Sequence, residues 1–377
     1  MLKLPLETQE RLLDRRVHDL LTTADRAAFA GQRLLVTGAG GSLGSELSRQ
    51  LASCAPARLT LVDHSEYALF NIEREIRQQY PNVDIDAVLG DVSRTADIRN
   101  ICTSARPHAV YHAAAYKHVS IAERSIVPSI RTNALGAFDT ALAARAVGAR
   151  FVLISSDKAA EPKSVMGATK RLAELATLSL ASSTFRPVAV RFGNILGSSG
   201  SLVEIMARCV GEGRNIPVTD PDATRFFMTG EEAVALVLKA DVIGGRSSVF
   251  WLDMGEALRV GELVERFIAC ATPAGQPRVG IDVIGLRPGE KMREELTTQG
   301  LAMQSTAHPR IWAARQRNIG RGEIAASLRS IRRAVAAGDA VAALVGLENA
   351  VEDFKASNAA WRAANSCDVA ELMGQAA

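Results

Sequence analysis

Cysteine is scarce and scattered. The five in this 377-residue chain (Cys54, Cys102, Cys209, Cys270, Cys367) never form a CxxC pair, and their number is odd. That excludes a zinc knuckle and a disulfide framework, leaves no metal-ligand spacing, and fits a reducing compartment. Long apolar runs are missing too: nothing approaches the roughly 18 consecutive residues of a membrane-spanning helix. The stretch MLKLPLETQERLLDRR carries acids and bases where a signal peptide needs an apolar core, so the expectation is a cytoplasmic protein. Nor is there an excess of one charge. Lys+Arg 44 against Asp+Glu 41 leave +3, too little and too dispersed for a nucleic-acid surface. Internal repeats and low-complexity tracts are absent. With 47% hydrophobic and 23% charged residues, the chain has an ordinary globular composition. Its length suffices for about two and a half domains.

What is present is a rhythm. Residues 1–30 form a helical extension, with Leu12, Leu13, Val17, Leu20 and Leu21 at helical spacing. From 31 to 192, short apolar runs (34–36, 59–63, 86–89, 109–111, 151–154, 188–190) alternate with helical stretches such as 43–52 and 65–79. Such alternation predicts an α/β fold, a doubly wound parallel sheet covered on both faces. Beyond residue 193 glycine and proline become frequent and strands isolated, which predicts a smaller α/β domain over 193–315, folded over the sheet's carboxyl edge. Residues 316–377 form a helical C-terminal segment, clearest over 321–356.

The first apolar run meets Thr37-Gly38-Ala39-Gly40-Gly41-Ser42-Leu43-Gly44 and then a helix. Gly38 permits a tight turn, Gly41 lets backbone approach a pyrophosphate, and Gly44 lets helix and strand pack closely. The helix N-terminus adds unpaired N–H groups and a positive dipole end for phosphate. Asp63 ends the next run, where a carboxylate accepts hydrogen bonds from both ribose hydroxyls and repels a 2′-phosphate. His64 and Ser65 follow it rather than arginine, so NAD is expected in preference to NADP. Asp91 and Val92, after the third run, are placed to reach the adenine, although a solvated turn aspartate explains Asp91 equally well.

The fifth run leads into Ser155-Ser156-Asp157-Lys158, at the sheet edge where side chains face the ligand crevice. The adjacent acid and base form either a proton-transfer pair beside a bound molecule or a surface ion pair worth under about 1 kcal/mol. On the helix that follows, Met166 stands four residues before Lys170, a spacing that puts both on one face. Many short-chain dehydrogenases carry tyrosine at the first of those positions. A thioether exchanges no proton, so that acid–base route is missing.

These motifs, together with several beyond them, make the chain resemble the nucleotide-sugar 4,6-dehydratases of the capsular and O-antigen polysaccharide biosynthesis family, extended short-chain dehydrogenase/reductases with a Rossmann domain. The likeness rests on TGAGGSLGSEL (37–47), HAAAYKHV (112–119), SSDKA (155–159), VMGATKRLAE (165–174) and RFGNILGSSGS (191–201). TRFFMT (224–229), LDMGE (252–256), GLRPGEK (285–291) and HPRI (308–311) extend it over about residues 30–315.

The resemblance implies NAD and a UDP-sugar, usually UDP-N-acetylglucosamine. It implies hydride removal from C4, loss of water across C5 and C6, and hydride return to C6. By carry-over, Lys158 is the C5 base, Asp157 the acid for the 6-hydroxyl, and Ser155 or Ser156 a relay for the C4 hydroxyl proton. Lys170 holds the nicotinamide ribose. Gly38, Gly40, Gly41, Ser42, Leu43, Gly44, Asp63, Asp91, Val92 and Ala113 line the cofactor. Lys117, Asn194, Arg225, Arg287 and Glu290 contact the substrate: the arginines fork onto phosphate, and Glu290 meets the uridine ribose or orients Arg287. His118 stands beside the sugar pocket, while His112 reads as a core histidine. Met166 places the chain in the family's methionine-bearing branch, whose members retain configuration at C5, giving UDP-2-acetamido-2,6-dideoxy-D-xylo-hexos-4-ulose. Many of those carry an N-terminal membrane domain. Its lack here points to a soluble relative or to attachment through a partner. Extended enzymes of this class commonly pair through the two long helices flanking the site, so a homodimer is the default.

Ser120, Ala122, Glu161, Glu204 and Arg293 depart from the family's usual residues. Glu161 either places negative charge beside Asp157 and Lys158, favouring a protonated Asp157, or reflects a different sugar. A 4-epimerase, which re-reduces C4 from the other face, and a catalytically silent NAD-binding protein are the alternatives. The Asp157–Lys158 pair favours elimination, since an epimerase needs no acid aimed at C6.

Overall fold

Runs that are apolar at every position can be buried on both faces, and the strands here alternate between two cores. In the computed structural model, which describes residues 2–17, 21–244, 248–272, 278–295, 297, 303–315 and 320–365, six runs form β1 (Arg33–Thr37), β2 (Arg58–Asp63), β3 (Ile85–Leu89), β4 (Ala109–His112), β5 (Arg150–Ile154) and β6 (Val188–Arg191). Leu34, Val36, Leu59, Leu61, Tyr111 and Val152 face one core with Leu47, Leu51, Ile72 and Ile76 from the helices Ser42–Ala52 and Glu66–Gln79. Leu35, Val62, Val110, Phe151 and Leu153 face the other, with Ile98, Cys102 and Ala141 from Thr95–Ala105 and Ala137–Ala146.

The six strands pair in parallel in the order β3-β2-β1-β4-β5-β6, a doubly wound sheet whose order reverses between β1 and β4. The sheet continues past residue 192. Ser248–Leu252 joins β6 in parallel, Ile311–Arg315 pairs antiparallel with it, and Met303–Ser305 forms the far edge. The reason is again alternation: Phe250 and Leu252 enter the first core, Val249 and Trp251 the second.

A smaller lobe sits on the helices Leu202–Gly211 and Val260–Ala271 with three two-stranded pairs. Its core (Val203, Met206, Leu263, Phe267) also takes Leu12 and Leu13 from the N-terminal helix Leu6–Leu13, whereas Leu21 packs into the main sheet. Leu20 lies outside the described residues. At the other end, the antiparallel helices Arg321–Ala337 and Ala340–Ala350 bury Ile324, Leu328, Ile331, Leu344 and Leu347 against Ile130, Ala134, Val165, Met166 and Leu172. This hairpin covers the outer face of helix Val165–Ser179 and of the π-helical turn Ile130–Gly136. Residues 316–319 and 366–377 of the C-terminal segment lie outside the described residues. No helix among the described residues is long and apolar enough to cross a membrane.

Candidate active site

One wall of the crevice is built from backbone. Gly38 adopts φ +68° after β1, and a Cβ there would lie 2.7 Å from the Ala114 backbone. At Gly44 a Cβ would fall 1.9 Å from the Gly38 carbonyl oxygen. Only glycine lets the loop fold this tightly onto the helix that starts at Ser42, whose first-turn N–H groups have no helical acceptor. At Gly41 a Cβ would meet nothing closer than the Gly38 oxygen at 3.2 Å, so the loop's outer side is bare backbone with room for phosphate. Asp63, 6% exposed at the end of β2, accepts from Gly40 N at 2.8 Å through one oxygen and from Ser65 N at 2.9 Å through the other. Each oxygen keeps acceptor capacity for a ribose hydroxyl. These features fit a dinucleotide. Asp91 closes a turn on Ser93 N, Val92 is buried beside Gly136, and Ala113 N bonds the Thr37 carbonyl at the switch point. Leu43 packs partly into the first core. The Ser42 hydroxyl is held by loop 197–201, accepting from Ser199 N at 2.9 Å.

The facing wall is built from charge. Ser155 N and Asp157 N bond the carbonyls of Val190 and Phe192, carrying the β5–β6 pairing one step past the strand ends. The chain then turns through the short helix Asp157–Ala159. Asp157 is fully buried. Its Oδ1 accepts from Ser156 Oγ (2.9 Å), Lys158 N (2.8 Å) and Lys158 Nζ (3.1 Å), while Oδ2 has no partner. A buried, unpaired carboxylate oxygen costs about 1–3 kcal/mol, and this one is kept clear by Gly193, whose Cβ would stand 3.2 Å away.

Beneath the turn, Glu174 takes Ser155 Oγ at 2.5 Å, Arg191 through two nitrogens at 2.7 and 2.6 Å, and Arg171 at 3.1 Å. Burial alone would raise this carboxyl; Arg191, then Arg171 and the Ser155 bond, hold it below its ordinary value. Arg191 is fully buried and stacks on Trp251, its carbon 5.4 Å from the ring centre. Lys170 donates to the Ile154 carbonyl, and burial pulls its ammonium down to about 8 against the opposing Glu174. Met166, one turn before it, is 3% exposed and belongs to the apolar cluster under the C-terminal hairpin. His112 is buried with Nδ1 on Thr37 Oγ1 at 2.9 Å and Nε2 without a partner. Burial and Lys170 bring it down to about 3, so it is neutral.

A segment from the small lobe roofs the pair. Arg225 donates to the carbonyls of Thr224, Lys291 and Met292, and Thr224 N bonds the Met292 carbonyl. Arg225 thus clamps 291–294, and its Nε lies 3.8 Å from Glu294 Oε1. Gly289 (φ +80°) seats the preceding turn on Ser164, with a Cβ separation of only 2.9 Å. In that turn the Glu290 carboxylate accepts from Arg287 N at 3.0 Å, leaving the exposed Arg287 side chain free of it. Asn194, whose N bonds the Phe226 carbonyl, is half-buried and Lys117 is exposed.

Glu161 corrects an expectation. Its carboxyl is raised by burial and by Glu295, with Lys291 and Lys163 opposing, so it faces Glu295 rather than the Asp157–Lys158 pair. The second carboxylate on Lys158 is Glu294, 3.4 Å from Nζ. Sequence reasoning stopped at GLRPGEK and missed the Glu294-Glu295 couplet just beyond it. Asn133 was also missed. It fastens the 113–118 loop through Tyr116 N and O (2.8 and 2.9 Å) and reaches Thr169 Oγ1 at 3.0 Å. Its signal is conformational, since it sits in the π-helical turn.

Comparison with known proteins agrees with this architecture. Residues 34–316 match the family described as polysaccharide biosynthesis protein. The capsular polysaccharide biosynthesis protein CapD of Staphylococcus aureus is 39% identical over 291 residues, 76% of this chain and 48% of that protein. The chain spans about half the length of that protein and of the probable polysaccharide biosynthesis protein EpsC of Bacillus subtilis, which is 38% identical over 305 residues. A UDP-N-acetylglucosamine 4,6-dehydratase (inverting) of Campylobacter jejuni is 29% identical over 273 residues, 71% of this chain and 77% of that one. Among solved structures, Pen from Bacillus thuringiensis superposes with a TM-score of 0.68 at 29% identity, covering 76% of this chain and 88% of that one.

Proposed function

The chain belongs to the polysaccharide biosynthesis protein family, and from that premise we propose that it is an NAD-dependent 4,6-dehydratase of UDP-N-acetylglucosamine, working in the cytoplasm to supply a surface polysaccharide. One observation carries this reading: the buried Asp157 paired with the half-buried Lys158 at the sheet's carboxyl edge, with one carboxylate oxygen left unpaired. Such a pair has a use in elimination, where one proton leaves carbon and another joins the departing hydroxyl. An epimerase performs no such step.

Gly38 to Gly44, Asp63, Asp91, Val92, Ala113 and Lys170 would hold the dinucleotide, which supplies reversible hydride acceptance. Lys158 takes the C5 proton and the Asp157 carboxyl protonates the 6-hydroxyl as it leaves. Ser156 orients Asp157, and Lys170 supplies positive potential near C4. Arg287 and Asn194 meet the diphosphate, with Lys117 at the sugar and Glu290 holding the Arg287 turn. Arg225 reaches phosphate only beside its clamp on 291–294. Met166, sealed in apolar surroundings, relays no proton. Lys158 alone then serves C5, which favours retention there. The chain's own 321–350 hairpin packs on helix Val165–Ser179, so in this reading a homodimer uses other surface.

The test is incubation with NAD and a panel of UDP-hexoses, followed by mass spectrometry and NMR. UDP-N-acetylglucosamine should lose one water and gain a methyl group at C6. An isomer of unchanged mass would establish a 4-epimerase instead, and NAD binding without turnover would establish a silent protein.

A further inference from the structure

Lys158 is held from two sides by residues far apart in the chain. Its Nζ lies 3.1 Å from Asp157 Oδ1 and 3.4 Å from Glu294 Oε1. Glu294 is 8% exposed, and its second oxygen, like Asp157 Oδ2, has no partner. It does not arrive there by chance of side-chain rotation. Arg225 and Thr224 bond the backbone at 291–292 and so fix the height at which Glu294 leaves the chain. Arg225 Nε then stands 3.8 Å from the carboxylate it delivers.

We propose that Glu294 is a positioning residue that completes an Asp157–Lys158–Glu294 unit and sets which member of the acid–base pair holds the proton. The proposal rests on the dehydratase reading for its chemistry, though not for its electrostatics. An Asp157 carboxylate with a Lys158 ammonium contains the same protons as an Asp157 acid with a Lys158 amine. Transfer across their 3.1 Å hydrogen bond arms both groups without solvent. In the elimination that follows, the C5–H bond breaks and its proton goes to the amine. The C5 electron pair forms the C5–C6 double bond, the C6–O bond breaks, and the Asp157 proton leaves with the oxygen as water. The pair is then back in its starting state. Glu294, with Arg225 Nε 3.8 Å from its carboxylate, governs how readily the ammonium gives up its proton. The charged groups acting on Lys158 are Asp157, Glu294 and Arg225. Burial alone would lower its ammonium, but Asp157 and then Glu294 hold it above its ordinary value, with Arg225 opposing.

The measurement is the pH dependence of Lys158 acetylation by acetic anhydride, read by peptide mass spectrometry on the whole chain. Lys158, with a side chain 21% exposed, is open to so small a reagent. Glu294→Gln should move the midpoint down by roughly 1 pH unit, and the descending limb of the kcat profile, where the pair loses the proton it shares, should follow by the same amount. Glu294→Asp, which keeps the charge, should hold the midpoint within about half that distance of wild type, and it carries the test if the glutamine variant fails to fold. A labelling midpoint that Glu294→Gln leaves in place overturns the proposal, even where kcat falls equally at every pH, because that pattern is loss of packing. A shifted midpoint in a protein that turns over no sugar upholds the hold of Glu294 on Lys158 and overturns the dehydratase reading alone.

Discussion

Residues 37–44 and residues 155–158 face each other across the same crevice, at the carboxyl ends of strands of one sheet, yet they are built from different materials. The first is backbone with its side chains stripped away: a Cβ at Gly44 would sit 1.9 Å from a carbonyl oxygen, and the nearest charge, Asp63, bonds two backbone N–H groups. The second is dense in buried charge: Asp157, Lys170, Glu174, Arg191 and Glu294 are all buried. A wall made of shape tolerates no added atom but needs little support from afar. A wall made of charge tolerates polar exchange in shape, but each group needs a partner, and the partners come from 174, 191, 225 and 294. The first wall should therefore answer substitution in binding, and the second in turnover and in folding.

The sharpest break in this contrast is Asp157→Asn. The amide keeps the oxygen that takes three donors but removes the acid and the charge facing Lys158, so turnover should fall about 10²–10⁴-fold, while Glu294 still holds the ammonium and keeps the urea midpoint near wild type. Near-normal turnover would remove Asp157 from proton transfer. Glu174→Ala tests the same wall from beneath. It removes the carboxylate that the fully buried Arg191 holds through two nitrogens, and breaking a buried pair of that kind costs about 3–5 kcal/mol. Urea unfolding measures it, and a loss under about 1 kcal/mol would mean that the turn at 155–159 is supported without this network.

On the opposite wall, Asp63→Ala should weaken NAD about 10- to 100-fold, the worth of hydrogen bonds to an ionised acceptor. Affinity for the UDP-sugar should be unchanged. Calorimetry of each ligand separates the two, and equal losses in both would show that the walls are not independent.

This contrast also explains what could be read in advance. Each of β1 to β6 is a short, mostly apolar run, and the glycine loop is contained within 37–44, so local pattern is enough. The strand Ser248–Leu252 was not legible, because a tryptophan-containing run bounded by glycines gives no hint that it returns to the first sheet. Glu294 and Glu174 were not legible for a related reason. A charged residue on a polar face and one buried against a distant arginine look alike until the fold brings the arginine. Arg225 was expected on phosphate because its motif resembles a phosphate-binding one, and only the carbonyls of 291 and 292 show its use as a clamp.

The smallest expected effect lies on the outer side of the cofactor wall, where charge does appear but near solvent. Arg49, on the helix that follows the glycine loop, grips Glu75 of the next helix through Nε at 2.8 Å and a second nitrogen at 2.9 Å. That grip, against partial burial and with help from Lys3, lowers the Glu75 carboxyl from 4.5 to about 2. A carboxyl depressed in the folded state stabilises fully above its unfolded value, and the contribution disappears as pH falls from about 4.5 through about 2. With the side chain 28% exposed, solvent screening leaves it worth about 1 kcal/mol. Glu75→Gln should therefore lower stability to urea by about that much at pH 7 and by almost nothing near pH 2. It should leave turnover alone, because the loop beside it holds its shape through glycine rather than through this pair. A variant that lost NAD affinity at pH 7 would show that the backbone wall leans on charge after all.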